Sequence, residues 1–179
     1  RIANTLSFEP FLQYIEATKS SASEIVSEIL LYSRFADTLH KEEAEVLIEL
    51  FDGVTETLDR LHKAGVKIVI TSNNVQPVLR RLTTNLNIAQ YIDDIVSVED
   101  VVNVKPAPDI ALEVLRRCNI EGKEALVVGD ATLDMDMGRE AGCDLCGVSF
   151  GSHTPEMLRE KGAKYIIDHF AELEKIVLG

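Results

Sequence analysis

The sequence predicts an α/β fold, a doubly wound and mostly parallel sheet with helices on both faces, preceded by an N-terminal helical subdomain. Three observations carry that expectation. From about residue 55 onward, short β-branched runs alternate with amphipathic stretches of helical period, a pattern that calls for right-handed crossovers and parallel pairing. Residues 1–50 show helical periodicity with no strand pattern between. The run Ala125-Leu126-Val127-Val128 stops at Gly129 and is followed at once by Asp130 and Asp134. Such a run is a fully buried parallel strand, and its carboxyl end is where open α/β sheets place ligands.

The N-terminal stretch opens with Phe8, Phe11, Leu12 and Ile15 on one helical face, with Ser7 as cap and Pro10 in the first turn. A second amphipathic segment covers residues 23–35, where Ile25, Ile29 and Tyr32 share a face, and a third covers 40–51. Together they predict a cap subdomain over residues 1–50 and an α/β core over 51–179, with Asp52-Gly53 as hinge. In the core, a helix from Thr55 to Lys63 ends at Gly65 and precedes the strand Val66 to Thr71. Helix 75–86 leads to a strand from Ile95 to Val98, and helix 108–118 to the strand 125–129. Helix 132–141 precedes the strand Leu145 to Phe150, a short helix starts at Thr154-Pro155, and Tyr165-Ile166-Ile167 is followed by a last helix over 170–178.

Composition narrows the function classes. With 46% hydrophobic residues over 179 positions the chain can bury a real core. A formal net charge of −12 repels nucleic acid and anionic membrane, yet leaves room for an anionic small substrate, because one lysine and a bound metal can reverse the local potential. No apolar run reaches the ~20 residues of a membrane helix and no signal-peptide pattern opens the chain, so a cytoplasmic protein is expected; as to assembly, the sequence leaves monomer and homodimer both open. Cys118, Cys143 and Cys146 agree with a reducing compartment. The CxxC spacing of Cys143 and Cys146 falls between a helix and a strand rather than at a helix N-terminus, and lacks a second ligand pair, which favours buried structural thiols. His40, His62, His153 and His169 show no metal-ligand spacing, although His153 follows a strand closely enough to approach its tip. Asp93-Asp94 and Glu99-Asp100 are expected to be solvated loop charges.

Strand tips of a doubly wound sheet share one edge, so distant residues can meet there. Thr71 and Ser72, prolonged by Asn73 and Asn74, end one strand with hydroxyls and turn N–H groups suited to phosphate oxygens. Lys105 lies between Val104 and Pro106, in a loop stiffened by Pro106 and Pro108. Asp130 and Asp134 stand about one helical turn apart, and two close carboxylates are hard to keep ionised without a hard cation such as Mg2+. The plainer alternative is that Asp130 caps the next helix while Asp134 is solvated in its first turn. A hydroxyl, a lysine and a carboxylate pair at successive tips together suit phosphoryl transfer.

In order and spacing, Val69-Ile70-Thr71-Ser72-Asn73, Val104-Lys105-Pro106-Ala107-Pro108-Asp109 and Val127-Val128-Gly129-Asp130-Ala131-Thr132-Leu133-Asp134 resemble the second, third and fourth motifs of the haloacid dehalogenase-like (HAD) superfamily. The branch that looks most similar is phosphoglycolate-phosphatase-like, with a helical cap. The likeness continues through Gly138-Arg139-Glu140-Ala141-Gly142, Gly147-Val148-Ser149-Phe150-Gly151 and Gly162 to Asp168. It implies a Mg2+-dependent phosphoric monoester hydrolase that acts on a small phosphorylated metabolite through an aspartyl-phosphate. By that resemblance Thr71 would bind the transferring phosphate with help from the Ser72 backbone and the Asn73 tip, and Lys105 would neutralise charge on phosphate and nucleophile. Asp130 would be a metal ligand, and Asp134 would bind or orient the metal's hydration shell. Ala131 stands where the family often has Ser.

The family's first motif, a hydrophobic strand ending in DxDGT with nucleophile and general acid/base, has no counterpart here. Leu50-Phe51-Asp52-Gly53-Val54 imitates it only superficially, since Leu50 occupies the nucleophile position. The sequence as it stands is therefore expected to be inactive alone. The missing strand would lie centrally, between the Val66 and Ala125 strands. Its loss would expose two rows of backbone groups, so the expectation is that an upstream segment supplies it. A non-catalytic phosphate- and metal-binding module is the alternative. A phospho-acceptor receiver domain places its acids before the hydroxyl and lysine, opposite to the order here, and no glycine-rich dinucleotide fingerprint follows any strand.

Overall fold

Successive residues along each core strand enter opposite helical layers, which fixes the architecture. The computed structural model describes residues 31–33 and 48–179. Its strands are β1 (Leu31–Ser33), β2 (Ile48–Leu50), β3 (Val69–Thr71), β4 (Asp94–Val96), β5 (Leu126–Gly129), β6 (Asp144–Val148) and β7 (Tyr165–Ile167). The helices are α1 (Val54–Lys63), α2 (Gln76–Asn85), α3 (Asp109–Cys118), α4 (Thr132–Glu140), α5 (Pro155–Glu160) and α6 (Leu173–Val177).

Ile70, Ile95, Cys146, Val148 and Ile167 pack with α1, α2 and α6 in one cluster that holds Leu58, Leu61, Leu79, Leu82 and Leu173. Their neighbours Val69, Val96 and Val127 face the other way, against Ile110 and Ala111 of α3 and Met137 of α4. Leu145 and Ile166 join Met135 of α4 and Leu158 of α5 on that same side. A period of two that divides apolar residues between two covered faces is the signature of a doubly wound sheet. Helix α1 shows the complementary period, burying Val54, Thr57, Leu58 and Leu61 at i, i+3, i+4 and i+7.

Pairing is parallel throughout the core, but it falls into two ladders. Strand β3 pairs with β4, and β6 lies between β5 and β7. Among the described residues no strand joins β3 to β5. The apolar clusters nonetheless run across the interruption, Ile70 with Cys146 on one face and Val69 with Val127 on the other, so both ladders belong to one layer.

Several expectations are corrected. The segments around 31–33 and 48–50, expected to be helical, form an antiparallel pair with Leu31 opposite Leu50. The first amphipathic stretch with Phe8, Phe11, Leu12 and Ile15, its cap Ser7, and His40 lie outside the described residues. Asp52 and Gly53 form the turn from β2 into α1, with Gly53 at φ 79°. Strand β3 starts three residues later than expected. The Val66 N–H closes the end of α1 on the Leu61 carbonyl, and the Ile68 N–H is taken by the Asp93 carboxylate instead of a strand carbonyl.

Asp93, Glu99 and Asp100 are not merely solvated. Asp100 accepts from the Ser97 N–H, from Gln76 and from Arg117, and Glu99 accepts from the Gln76 N–H. Burial alone would raise the Asp100 pKa, but those donors outweigh it and hold it well below the usual carboxylate range. Arg117 ties α3 to this corner through Asp94 and Asp100 while bonding Glu113 on its own helix. The last helical stretch begins as a 3-10 turn, Phe170–Glu172, before α6. No helix among the described residues is long and apolar enough to cross a membrane.

Candidate active site

β3 runs parallel to β4 and β5 to β6, and Lys105 bonds both the β3 tip and the turn after β5, so the loops that follow these strands gather at one edge of the layer. The centre of the arrangement is Lys105. It sits in the loop that leads into α3, follows a buried Ser97 turn, and is only 6% exposed. Its ammonium donates to the Thr71 carbonyl at the tip of β3 (3.0 Å) and to Asp134 Oδ1 in the first turn of α4 (2.8 Å). One side chain thus spans the two ladders. Both members of the Lys105–Asp134 pair are buried, a setting in which removal of either partner is costly because it strands the other charge away from water.

The Lys105 backbone is held as firmly as its side chain. Asn73 Oδ1 accepts from the Lys105 N–H (3.0 Å), and Asn73 Nδ2 donates to the Lys105 carbonyl (3.4 Å). The amide of Asn73, expected from the sequence at the phosphate-binding tip, therefore orients the lysine loop. The 105–106 peptide bond is cis, and Pro108 opens α3, whose Asp109 accepts from the N–H and side-chain amide of Asn103.

Thr71 lies half-buried at the tip of β3. Ser72 is fully buried, and its N–H, expected to help bind phosphate, is spent on the Val96 carbonyl (3.0 Å), one further rung of the β3–β4 ladder. The Ser72 hydroxyl accepts from the Asn74 N–H (2.8 Å), so Ser72 shapes the turn that presents Thr71.

On the opposite side, Asp130 and Asp134 have separate environments. The Asp134 carboxylate accepts from the Ala131 N–H (3.3 Å) as well as from Lys105, so it caps α4 from inside and is not solvated. Asp130 is 1% exposed and does not cap the helix. Its Oδ2 accepts from the Ser152 N–H (2.7 Å) and from the Ser152 hydroxyl, and its carbonyl accepts from the His153 N–H (3.1 Å). Its Oδ1 is buried with no hydrogen-bond partner. Burial pushes the Asp130 pKa up, the Ser152 bonds pull against it, and the nearby Asp134 charge adds to the rise.

Two glycines allow the carboxylates to lie this close to backbone. A Cβ on Gly129 would stand 2.5 Å from Asp134 Oδ2, and one on Gly151 would collide with Asp130 Cβ. The sequence marks Gly129 as the end of an apolar run, and Gly151 only through the resemblance. Sequence reasoning missed Ser152 and had only the nearness of His153 to a strand tip as a hint.

A cation at this site would be a hard one, since its donors are oxygens. The buried, unpartnered Asp130 Oδ1 is the kind of atom such an ion satisfies. Among the described residues no group of three or more His, Cys, Asp or Glu side chains is placed to enclose a metal. Mg2+ is one such hard ion, and it binds through one or two carboxylates while keeping several waters.

Comparison with known proteins gives these motifs a context. A family model described as haloacid dehalogenase-like hydrolase matches residues 6–148. The chain belongs to the haloacid dehalogenase-like hydrolase family. It is 30% identical over 146 residues to a phosphoglycolate phosphatase of Salmonella typhi, which covers 82% of this chain and 58% of that protein. It is also 30% identical over 131 residues to the phosphoglycolate phosphatase of Escherichia coli (strain K12), covering 73% of this chain and 52% of that one. The chain thus spans little more than half the length of these relatives. Among solved structures, a HAD-superfamily hydrolase of subfamily IA from Geobacter sulfurreducens matches at a TM-score of 0.68 and 24% identity, over 78% of this chain and 61% of that one. A haloacid dehalogenase-like family hydrolase from Streptococcus pneumoniae matches at 0.68 and 20%, over 76% and 64%. These two likenesses bear out the HAD-like α/β fold.

Proposed function

We propose that this chain carries the phosphate- and cation-binding half of a Mg2+-dependent phosphoric monoester hydrolase acting on a small phosphorylated metabolite through an aspartyl-phosphate. The single observation that carries the reading is the junction at Lys105. A buried ammonium bonded to the β3 tip stands beside a carboxylate pair of which one oxygen, Asp130 Oδ1, is unclaimed by the described residues.

Attack of a carboxylate on phosphorus builds negative charge on the phosphoryl oxygens, and catalysis of such a step is mostly positioning and electrostatics. Lys105 supplies fixed positive charge where those oxygens would lie, held in place by the Asn73 amide so that little reorganisation is needed. Thr71 supplies a hydroxyl at the β3 tip. When bound, Mg2+ would share the charge of the phosphoryl group. Asp130 would be its carboxylate ligand, and Asp134 would hold Lys105 while bordering the hydration shell. The attacking carboxylate and the general acid/base would come from a segment outside the described residues, placed between the tips of β3 and β5. The printed names of the curated relatives support phosphoglycolate as the first substrate to try.

The test is hydrolysis of an aryl phosphate and a panel of small phosphorylated metabolites, with Mg2+ and with a chelator, alongside the intact mass of the sample. Chelator-sensitive turnover abolished by Lys105→Met supports the proposal. Phosphate and Mg2+ binding without turnover by the intact protein would replace it with a non-catalytic binding module.

A further inference from the structure

The loop after β6 contains a feature that none of the sequence motifs assign. Ser149 to Thr154 runs from β6 into α5 and is fixed at both ends. The Ser149 N–H bonds the Ile167 carbonyl and its hydroxyl bonds Asp168 (2.6 Å), while Thr154 caps α5 through the Met157 N–H (3.4 Å). Between these anchors, Gly151 lies flat against Asp130 with no room for a side chain, and Ser152 turns both its donors onto one oxygen of that carboxylate.

We propose that Gly151 and Ser152 form a positioning clamp for Asp130, which rotates the carboxylate so that Oδ1 alone is presented to the cation. The clamp rests on the cation reading given above and adds to it a residue pair outside the strand-tip motifs. A carboxylate has about four acceptor positions, and a ligand oxygen is most useful when the other oxygen is already satisfied. Two donors from Ser152 occupy Oδ2, the His153 N–H holds the adjacent carbonyl, and Oδ1 is left buried without a partner. An orphaned buried carboxylate oxygen is costly, so the arrangement is one that a positive ligand completes. Ser152 is itself exposed, which separates this role from core packing.

Equilibrium titration of the full chain with Mn2+, reading free ion by electron paramagnetic resonance, tests the clamp without any turnover assay. Wild type should bind and Asp130→Asn should not. Ser152→Ala should weaken Mn2+ binding about tenfold, the size typical of lost support to a metal ligand, and Ser152→Thr, which keeps the hydroxyl, should bind as wild type. Gly151→Ala should weaken binding at least as much as Ser152→Ala, because its Cβ displaces Asp130. Wild-type affinity in both Ser152→Ala and Gly151→Ala, with binding still lost in Asp130→Asn, would overturn the clamp and leave the cation reading standing. Undiminished binding in Asp130→Asn would overturn the cation reading itself, and the clamp with it.

Discussion

The β3–β4 ladder and the β5–β6–β7 ladder meet at the same edge but build their tips by opposite means. On the β3–β4 side the proposed working groups are a hydroxyl and a lysine, and the Asn73 side chain grips the Lys105 backbone. On the β5–β7 side the proposed working groups are carboxylates, each held by one backbone N–H and one side-chain donor and pressed against glycines at 129 and 151. The difference follows from chemistry. A long flexible cation needs its loop immobilised before its charge is aimed, whereas a short anion is aimed by the donors that surround it. Lys105 and Asp134 are where the two constructions touch.

Breaking that contact should have the largest effect. Asp134→Ala leaves the Lys105 ammonium buried without its carboxylate, and chemical denaturation should show a loss of ~3–5 kcal/mol. Next is the glycine side of the comparison. Gly129→Ala drives a methyl group into the Asp134 carboxylate and should cost about 1–3 kcal/mol by the same measurement, through overpacking. The side-chain grip on the other ladder should be cheaper to lose. Asn73→Ala removes two hydrogen bonds to the Lys105 backbone and should cost roughly 1–2 kcal/mol, with weaker binding of inorganic phosphate in calorimetry.

The smallest effect concerns pH and the Arg117 corner. Hydrogen bonds from Arg116 and Arg117 lower the Glu113 pKa to about 2, and Asp100 is also held low. Carboxylates with lowered folded-state values add stability that is present above about pH 4 and lost as pH falls through the folded-state values. Melting temperatures measured from pH 5 to pH 2 should therefore drop, and the drop should be shallower in Arg117→Ala.

Much of this layout was legible in the sequence, for reasons that differ between the two ladders. The short β-branched and apolar runs, such as Val69-Ile70 and Val127-Val128, read as strands buried on both faces, so the core strands could be located. Asp130 stood out as a charge at the end of an apolar run, Asp134 by its spacing of one helical turn from it, and Lys105 by the prolines that stiffen its loop. Strand ends were less legible. Nothing in the Val66 to Ile68 stretch announces that its donors go to α1 and to the Asp93 side chain, because those partners are chosen by tertiary contact. The same holds for Asp100, whose sequence neighbourhood looks solvated although Gln76 and Arg117 surround it in space. Ser152 escaped notice because a serine in a polar loop carries no pattern of its own. The β1–β2 pair was read as helix from its apolar spacing, since strands of three residues are too short for a period to assert itself.

Because Asp134 already has an internal counter-charge, a divalent ion bound as proposed above would meet one uncompensated acid and not two. A receptor of that kind exchanges its guest readily instead of sequestering it. Occupancy should then track the surrounding magnesium level, and stripping with a chelator should be undone by simple dialysis, leaving the protein folded at every stage.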